Sequence, residues 1–480
     1  MTFASFKNAR VVRSGWLDDG GRRLDCNPYM SGALEARDTL KQLNVRKDAL
    51  STLTAGHLGG IYNGPMFRRN YVESPEYGVP FISSGSMLQA DLTNLPLLRR
   101  ADAESSRLSY LQLQTGMTLI SCSGTVGRMT YVRPEMSGMW SSQDVMKVVP
   151  DPEKVAPGYL YAFISSRFGV PLVVSGTYGA IIQHIEPEHI ADLPVPRFGE
   201  ELESQVDSLV RGAANEISES SRLTQLATQT LLNALGLQEL RDDVWHKDNS
   251  ALGWGDQSVS SESLRALNYD PRVARIRERI ESRQYSQLGT LCDPSQFKGK
   301  IIFTRIDADP EHGYMLLGQR TAFHLRPEGR WIARKSVAGL GLIVPPGTTL
   351  IPSHGTLGEF ELYCRALVVT KRTAQYAYSG DFFRCVPIEG AIEPGYLFAF
   401  MRSRLAFRML RSISAGGKQQ EQHPAMMYRF PIPRLGADKE REIAALVDRA
   451  CELYDKGLEA EEQARAIVEK TILSGRVWNG

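Results

Sequence analysis

Pro194-Val195-Pro196-Arg197 and Pro431-Ile432-Pro433-Arg434 are one segment written twice, 237 residues apart, each running into a long charged stretch that ends near Leu237 or Leu473. Proline fixes φ and keeps its predecessor out of the α region, so each Pro-x-Pro closes an extended, strand-like piece. After the first, most steps between Leu202, Val206, Leu209, Val210, Ala213 and Ile217 are three or four residues; after the second, the same holds for Ile443, Leu446, Val447, Ala450 and Leu453. That period describes a helix with one apolar face. A helix of about 36 residues is about 54 Å long, and two such stripes in one chain are buried most economically on each other as a coiled coil. A connection that must return between the helices favours the antiparallel orientation.

The repetition extends outward from these segments. Pro157-Gly158-Tyr159-Leu160 is answered by Pro394-Gly395-Tyr396-Leu397 at the same offset of 237, and Gly124-Thr125-Val126-Gly127 by Gly355-Thr356-Leu357-Gly358 at 231. Leu24-Asp25-Cys26-Asn27-Pro28 is answered by Leu267-Asn268-Tyr269-Asp270-Pro271. Chance does not keep order and near-constant spacing over so many landmarks. The expected fold is α+β: two tandem mixed α/β modules, each followed by a long helix. A first module over 1–198 precedes a helix over 199–237, a polar linker over 238–261, a second module over 262–435 and a second helix over 436–475. Within the first module the pattern predicts a helix near 31–43, strands near 77–82, 118–121 and 146–149, and a helix opening at Pro157 with proline in its first turn.

Composition sets bounds. With 480 residues, 42% hydrophobic and 23% charged, the chain exceeds one ordinary core and reads as globular and soluble. Its six cysteines are scattered without metal spacing, as reduced thiols are. No apolar run reaches membrane-span length, and the first sixteen residues lack a signal-peptide core, so a cytoplasmic protein is expected. A net charge of +2 argues for no nucleic-acid partner by itself; any such contact must come from local patches.

The order module, Pro-x-Pro, long helix, repeated once with its Gly-Thr-x-Gly loops, resembles the specificity (S) subunit of type I restriction-modification systems over nearly the whole chain. The resemblance implies that the modules are target recognition domains, each reading half of a bipartite double-stranded DNA site. It implies that the helices hold them apart and dock two methyltransferase subunits, joined in restriction by a translocase/nuclease subunit. It further implies a non-catalytic chain, with S-adenosylmethionine and ATP on the partner subunits. One departure stands at the helix starts: where that family carries a Glu-Gln pair, this chain reads Glu200-Glu201-Leu202-Glu203 and Lys439-Glu440-Arg441-Glu442. An S-like DNA-reading subunit of a related phage-defence system, or a duplicated protein-interaction scaffold, are the alternative readings.

Candidate DNA contacts follow from residue chemistry. The hydroxyls of Thr125 and Thr356 could meet phosphates, although a tight turn also needs those glycines. The loop before each last strand carries Thr177, Tyr178 and Gln183 in the first module and Lys418, Gln419 and Gln420 in the second. Glutamine can bond adenine through two contacts and lysine can reach guanine or phosphate, against the plain reading of solvated polar loops. Basic clusters supply Arg68 and Arg69, Arg275 and Arg279, and Arg334 and Lys335 beside Trp331. Residues 261–335 hold fourteen Lys/Arg against nine Asp/Glu. Their plain reading is a solvated face with Arg–Glu pairs along one helix. The sequence contains no phosphate-binding P-loop, nucleophile elbow or zinc-hydrolase motif.

Overall fold

In the computed structural model, residues 12–19, 29, 32–175, 184–248, 263–297 and 300–475 are described. The two long helices are Glu200–Ala234 and Ala437–Ser474. They run antiparallel: Ala213 and Ile217 of the first face Gly457 of the second, and the Ser220 hydroxyl donates to the Ala450 carbonyl at 2.7 Å. The start of the first helix and the end of the second, with Val206, Val210, Ala464 and Val468, complete the core of the first module. The opposite ends, with Ala227, Leu231, Ile443 and Val447, complete the core of the second. Each module therefore rests on both helices.

The same frame is built twice. Pro194–Pro196 pairs antiparallel with Lys47–Ala49, and Pro431–Pro433 with Tyr285–Gln287. The Pro-Gly-Tyr-Leu motifs open the helices Pro157–Ile164 and Pro394–Met401. Their glycines allow contact with the long helices. A Cβ on Gly158 would lie 2.9 Å from Asp207 Cα, and one on Gly395 would lie 2.7 Å from the Ala444 carbonyl. Asp207 and Ala444 are themselves 237 residues apart. Tyr396 donates from its hydroxyl to the Pro433 carbonyl at 2.8 Å, and Tyr159 does the same to Pro196. Motif by motif, the repeated residues join the Pro-x-Pro strand, the short helix and the long helix.

Strand register repeats as well. Leu119 faces Lys147 across one antiparallel pair, and Leu350 faces Arg384 across its counterpart. Both cations are fully buried and held by carbonyls: Lys147 Nζ by Val145 and Ser142 at 2.7 and 3.1 Å, Arg384 by Phe382 and Ser379 at 2.6 and 2.7 Å. Burial pushes the Lys147 ammonium down to about 7 and Arg384 down to about 10. The sheets are small: Thr118–Ser121 and Val145–Val148 centre one in the first module, and Thr349–Pro352 centres one in the second.

The span read as a linker is not all linker. Asp242–Lys247 is a helix whose Trp245 is buried against the second module, with the Arg272 guanidinium 4.0 Å from its ring centre. Its counterpart is Ser14–Asp19, where Trp16 donates to Asp38 of the helix Ala33–Gln42 at 2.6 Å. A short polar stretch with one tryptophan carries too weak a period to be read as an element. Residues 249–262 and the corner at 24–28 lie outside the described residues.

The modules also touch directly. Gln89 and His324 form an antiparallel bridge, flanked by Ala90 N–H to Phe323 at 2.9 Å and Leu325 N–H to Leu88 at 2.7 Å. Positions 89 and 324 lie 235 apart, within the spacing of the repeat, so a pseudo-two-fold axis exchanging the modules passes through this joint. No helix among the described residues is long and apolar enough to cross a membrane.

Candidate nucleic-acid interface

In each module the Gly-Thr loop lies beside the loop that precedes the last strand. Ser123 bridges His184 in the first, while His354 pairs with Glu421 and Gly355 with Gln420 in the second. These are equivalent positions, and neither pairing could be seen in sequence because the partners are some sixty residues apart. The first Gly-Thr loop turns the chain from Thr118–Ser121 into Met129–Tyr131, with Gly124 and Gly127 at positive φ. Ser121 Oγ secures it, donating to the Thr125 carbonyl at 2.6 Å and accepting from Arg128 N–H at 2.9 Å. The second is held by the Arg411 fork, which donates to Leu357 and Gly358 carbonyls at 2.5 and 2.7 Å. Turn geometry thus accounts for Gly124 and Gly127, while Thr125 and Thr356 remain exposed on the loops.

Lys418 and Gln419 are exposed at the tip of the neighbouring turn. Gln420 is not: it is buried, and its amide donates to the Gly417 carbonyl, closing the turn. Gln420, expected as a base-reading side chain, lies on the inner side of the strand Gln420–Gln422. Thr177, Tyr178 and Gln183 fall outside the described residues.

Of the basic candidates, Arg68 is exposed, whereas Arg69 is half-buried. Arg69 is bound to Asp144 at 3.1 Å and Gln143 at 3.0 Å, with its guanidinium over Phe81. Arg275 pairs with Asp248 at 2.6 Å. It and Arg279 lie on the exposed side of Pro271–Glu281, a helix that packs on Arg404–Ser412. Arg334 and Lys335 are exposed just after the strand Arg330–Ala333, and Arg334 lies over Tyr314.

One further candidate segment carries no signal in the sequence taken by itself. Gly64 packs against Gln143, and its counterpart Ile301 donates from N–H to Gly380 at 3.0 Å; both pairs keep the 237 offset. Asn63 ties the first segment to Glu186, in the stretch before the last strand, at 3.0 Å. Arg68 in one becomes Arg305 in the other, and both are exposed. Extending the offset by residue number alone would have found Arg305.

Around this shared frame the chemistry differs. In the first module Ser123 Oγ donates to Asp144 at 2.8 Å. In the second, His354 takes the serine's place, with Nδ1 2.9 Å from Ser353 Oγ and Nε2 3.0 Å from Glu421. Hydroxyls, guanidiniums and amides exposed on two such faces are groups that bond phosphates and base edges. Among the described residues no group of three His, Cys, Asp or Glu is placed to hold a metal ion.

No family model matches the chain, and no curated protein matches it by sequence. Solved structures do. The S subunit of a type I restriction-modification system from M. genitalium covers 91% of this chain and 97% of its own, at 10% identity and a TM-score of 0.34. The HsdS subunit from Thermoanaerobacter tengcongensis covers 90% and 97%, at 13% identity and a TM-score of 0.27. A chain from a study of complex assembly and conformational transition of the type I R-M system covers 89% and 97%, at 13% and 0.27. The chain is similar to type I specificity subunits.

Proposed function

We propose that this chain is the sequence-reading subunit of a DNA-modifying complex, non-catalytic itself. Each module reads one half of a bipartite duplex site, and the helix pair sets the distance between halves and recruits methyltransferase subunits that bring S-adenosylmethionine. An ATP-driven translocase/nuclease subunit joins the same assembly. The observation that carries this reading is the pairing of Gly-Thr loop and last-strand loop, repeated in frame at two ends of one helix pair but altered in side chains. Two different half-sites demand that combination: one scaffold, two chemistries. Helices of 35 and 38 residues are about 52 and 57 Å long. That suffices to place modules on successive groove faces of a duplex, which recur every ~34 Å.

The test is a map of adenine methylation in cells with and without the chain, together with its partner subunits. A split motif that disappears with the chain is the expected result. Unchanged methylation, with no retardation of random duplexes by the assembled complex, would sink the reading.

A further inference from the structure

Two clefts flank the joint between the modules, and the pseudo-two-fold axis makes them counterparts. One, of about 410 Å³, is walled by Arg128 and Ser165 of the first module, His324 and Arg326 of the second, and Arg465 of the last helix. Two carboxylates face these three guanidiniums. Glu461, buried, accepts from Arg465 at 2.8 Å and pairs with Arg326, while the exposed Glu328 pairs with Arg128. One positive charge is left over. Three polar atoms of the wall, Arg326 Nε, His324 Nδ1 and Ser165 Oγ, are buried without a hydrogen-bond partner among the described residues. Such atoms are costly to leave unmade and are a rare condition in folded proteins. His324 feels the same field: burial and the charges of Arg128 and Arg320 lower its proton affinity.

The counterpart positions show that the joint itself does not need this arrangement. Arg128, Arg326 and Arg465 are answered by Glu359, Asp91 and Thr228, and Ser165 by Arg402. There carboxylates stand among the guanidiniums: Arg402 bonds Asp91 and the Thr228 hydroxyl, both at 3.0 Å, and Glu359 holds Arg408 at 2.8 Å. The counterpart cleft, of about 540 Å³ and walled by Arg402 and Arg404, thus has carboxylates at positions where this one has guanidiniums.

We propose that the cleft between Arg128, Arg326 and Arg465 binds a phosphate ester of nucleotide size. Guanidinium forks match the oxygens of phosphate, and the excess charge sits where a dianion would be neutralised. The volume lies within the range of small-molecule sites. Glu328, on the solvent side, yields Arg128 to the incoming anion, and the unpaired Arg326 Nε and Ser165 Oγ gain their missing acceptor. The site adjoins the first Gly-Thr loop through Val126 and Gly127, but its three guanidiniums are not among the groups on which the DNA-reading proposal rests. A backbone phosphodiester and a free nucleotide present the same chemistry to it.

Calorimetric titration of the full chain with adenosine monophosphate, then with inorganic phosphate as competitor, tests the site. Saturable binding displaced by phosphate is expected. Arg128→Gln, on a side chain 32% exposed whose carboxylate partner Glu328 is itself exposed, should weaken it about tenfold, the loss of one charge-assisted bond. Arg465→Gln should act in the same direction, with Glu461 still held by Arg326 and Tyr161. Displacement by a short random duplex would assign the site to a backbone phosphate, and its absence to a free nucleotide. No saturable binding of either small anion, or affinity unchanged in both variants, overturns the proposal.

Discussion

Arg434 grips Glu440 with both arms of its fork, Nε at 2.8 Å and Nη2 at 2.7 Å, and Glu440 also accepts from the Leu435 N–H at 3.0 Å. The first copy repeats the grip: Arg197 on Glu203 at 3.0 and 2.8 Å, with Phe198 N–H at 3.1 Å. The carboxylate occupies the first turn of a long helix, where free N–H groups and the helix dipole favour it. The arginine after Pro-x-Pro thus fixes the angle at which each module's last strand enters its helix. Glu440 is 2% exposed, and removing one partner of a buried pair costs about 3 kcal/mol. Glu440→Gln should therefore lower the urea midpoint clearly. Arg434→Lys, which keeps charge but loses the fork, should recover only part of the difference.

The two motif glycines make a steric prediction with its own control. Gly395→Ala puts a methyl group against the Ala444 backbone and should cost about 1–3 kcal/mol by overpacking. Gly212, in the first long helix with nothing within 4 Å of a built Cβ, should behave oppositely. Gly212→Ala should stabilise by about 1 kcal/mol through helix propensity alone. Thermal melts of the two variants moving in the same direction would contradict the close-approach account.

Lys147 makes stability depend on pH. Its folded value of about 7 lies below the free-lysine value of about 10.4. Between those limits the unfolded chain holds a proton that the folded chain does not, so this residue makes the fold more stable as pH rises from 7 towards 10. The slope is about 1.4 kcal/mol per pH unit at its steepest. Thiols such as Cys122, pushed up to about 12 by burial, contribute the opposite slope. The readout is therefore the difference between the wild type and Lys147→Met. Parallel pH profiles for the two proteins would show that the lysine does not titrate in this window.

Arg68 and Arg305 should act as a matched pair in DNA binding by the assembled complex. Each alanine variant is expected to reduce the log–log salt slope by about 0.9, the contribution of one phosphate contact. Half-site preference should stay as it is in both variants. An unaltered slope for Arg305→Ala would remove the 300–306 segment from the interface.

The helix pair should set the spacer. Inserting one helical turn into both long helices should change the preferred distance between half-sites in a binding selection and leave each half-site intact. An unchanged spacer would mean that base contacts, not the helices, define it.

Sequence periodicity was enough for the long helices, because apolar residues recurring mostly at steps of three or four over more than thirty positions do not arise in strands or loops. The Pro-x-Pro strands and the Pro-Gly-Tyr-Leu helices were legible on local chemistry, since proline and glycine restrict or free the backbone wherever they stand. Contacts between distant residues were not. Nothing near Gln420 signals that its amide turns inward, and nothing near Lys147 or Arg384 marks a cation in the core, since the carbonyls that hold them belong to a turn closed by the fold. Arg275 has the chemistry of a phosphate ligand, but the fold brings Asp248 beside it. The Arg197–Glu203 grip was within reach, because the same arginine-to-glutamate spacing recurs at Arg434 and Glu440.

The antiparallel pairing of the helices also has a consequence on the ribosome. The partner of Val206 and Val210 is the stretch around Ala464 and Val468, which is made more than two hundred residues later. At a synthesis rate of about 5–20 residues per second, the first helix emerges roughly 10–50 s before the surface that covers it. Through that interval its apolar stripe is a nascent-chain hazard, open to a chaperone or to the same stripe on a neighbouring polysome chain. Expression yield should therefore respond to translation speed between the two helices more than anywhere else in the message.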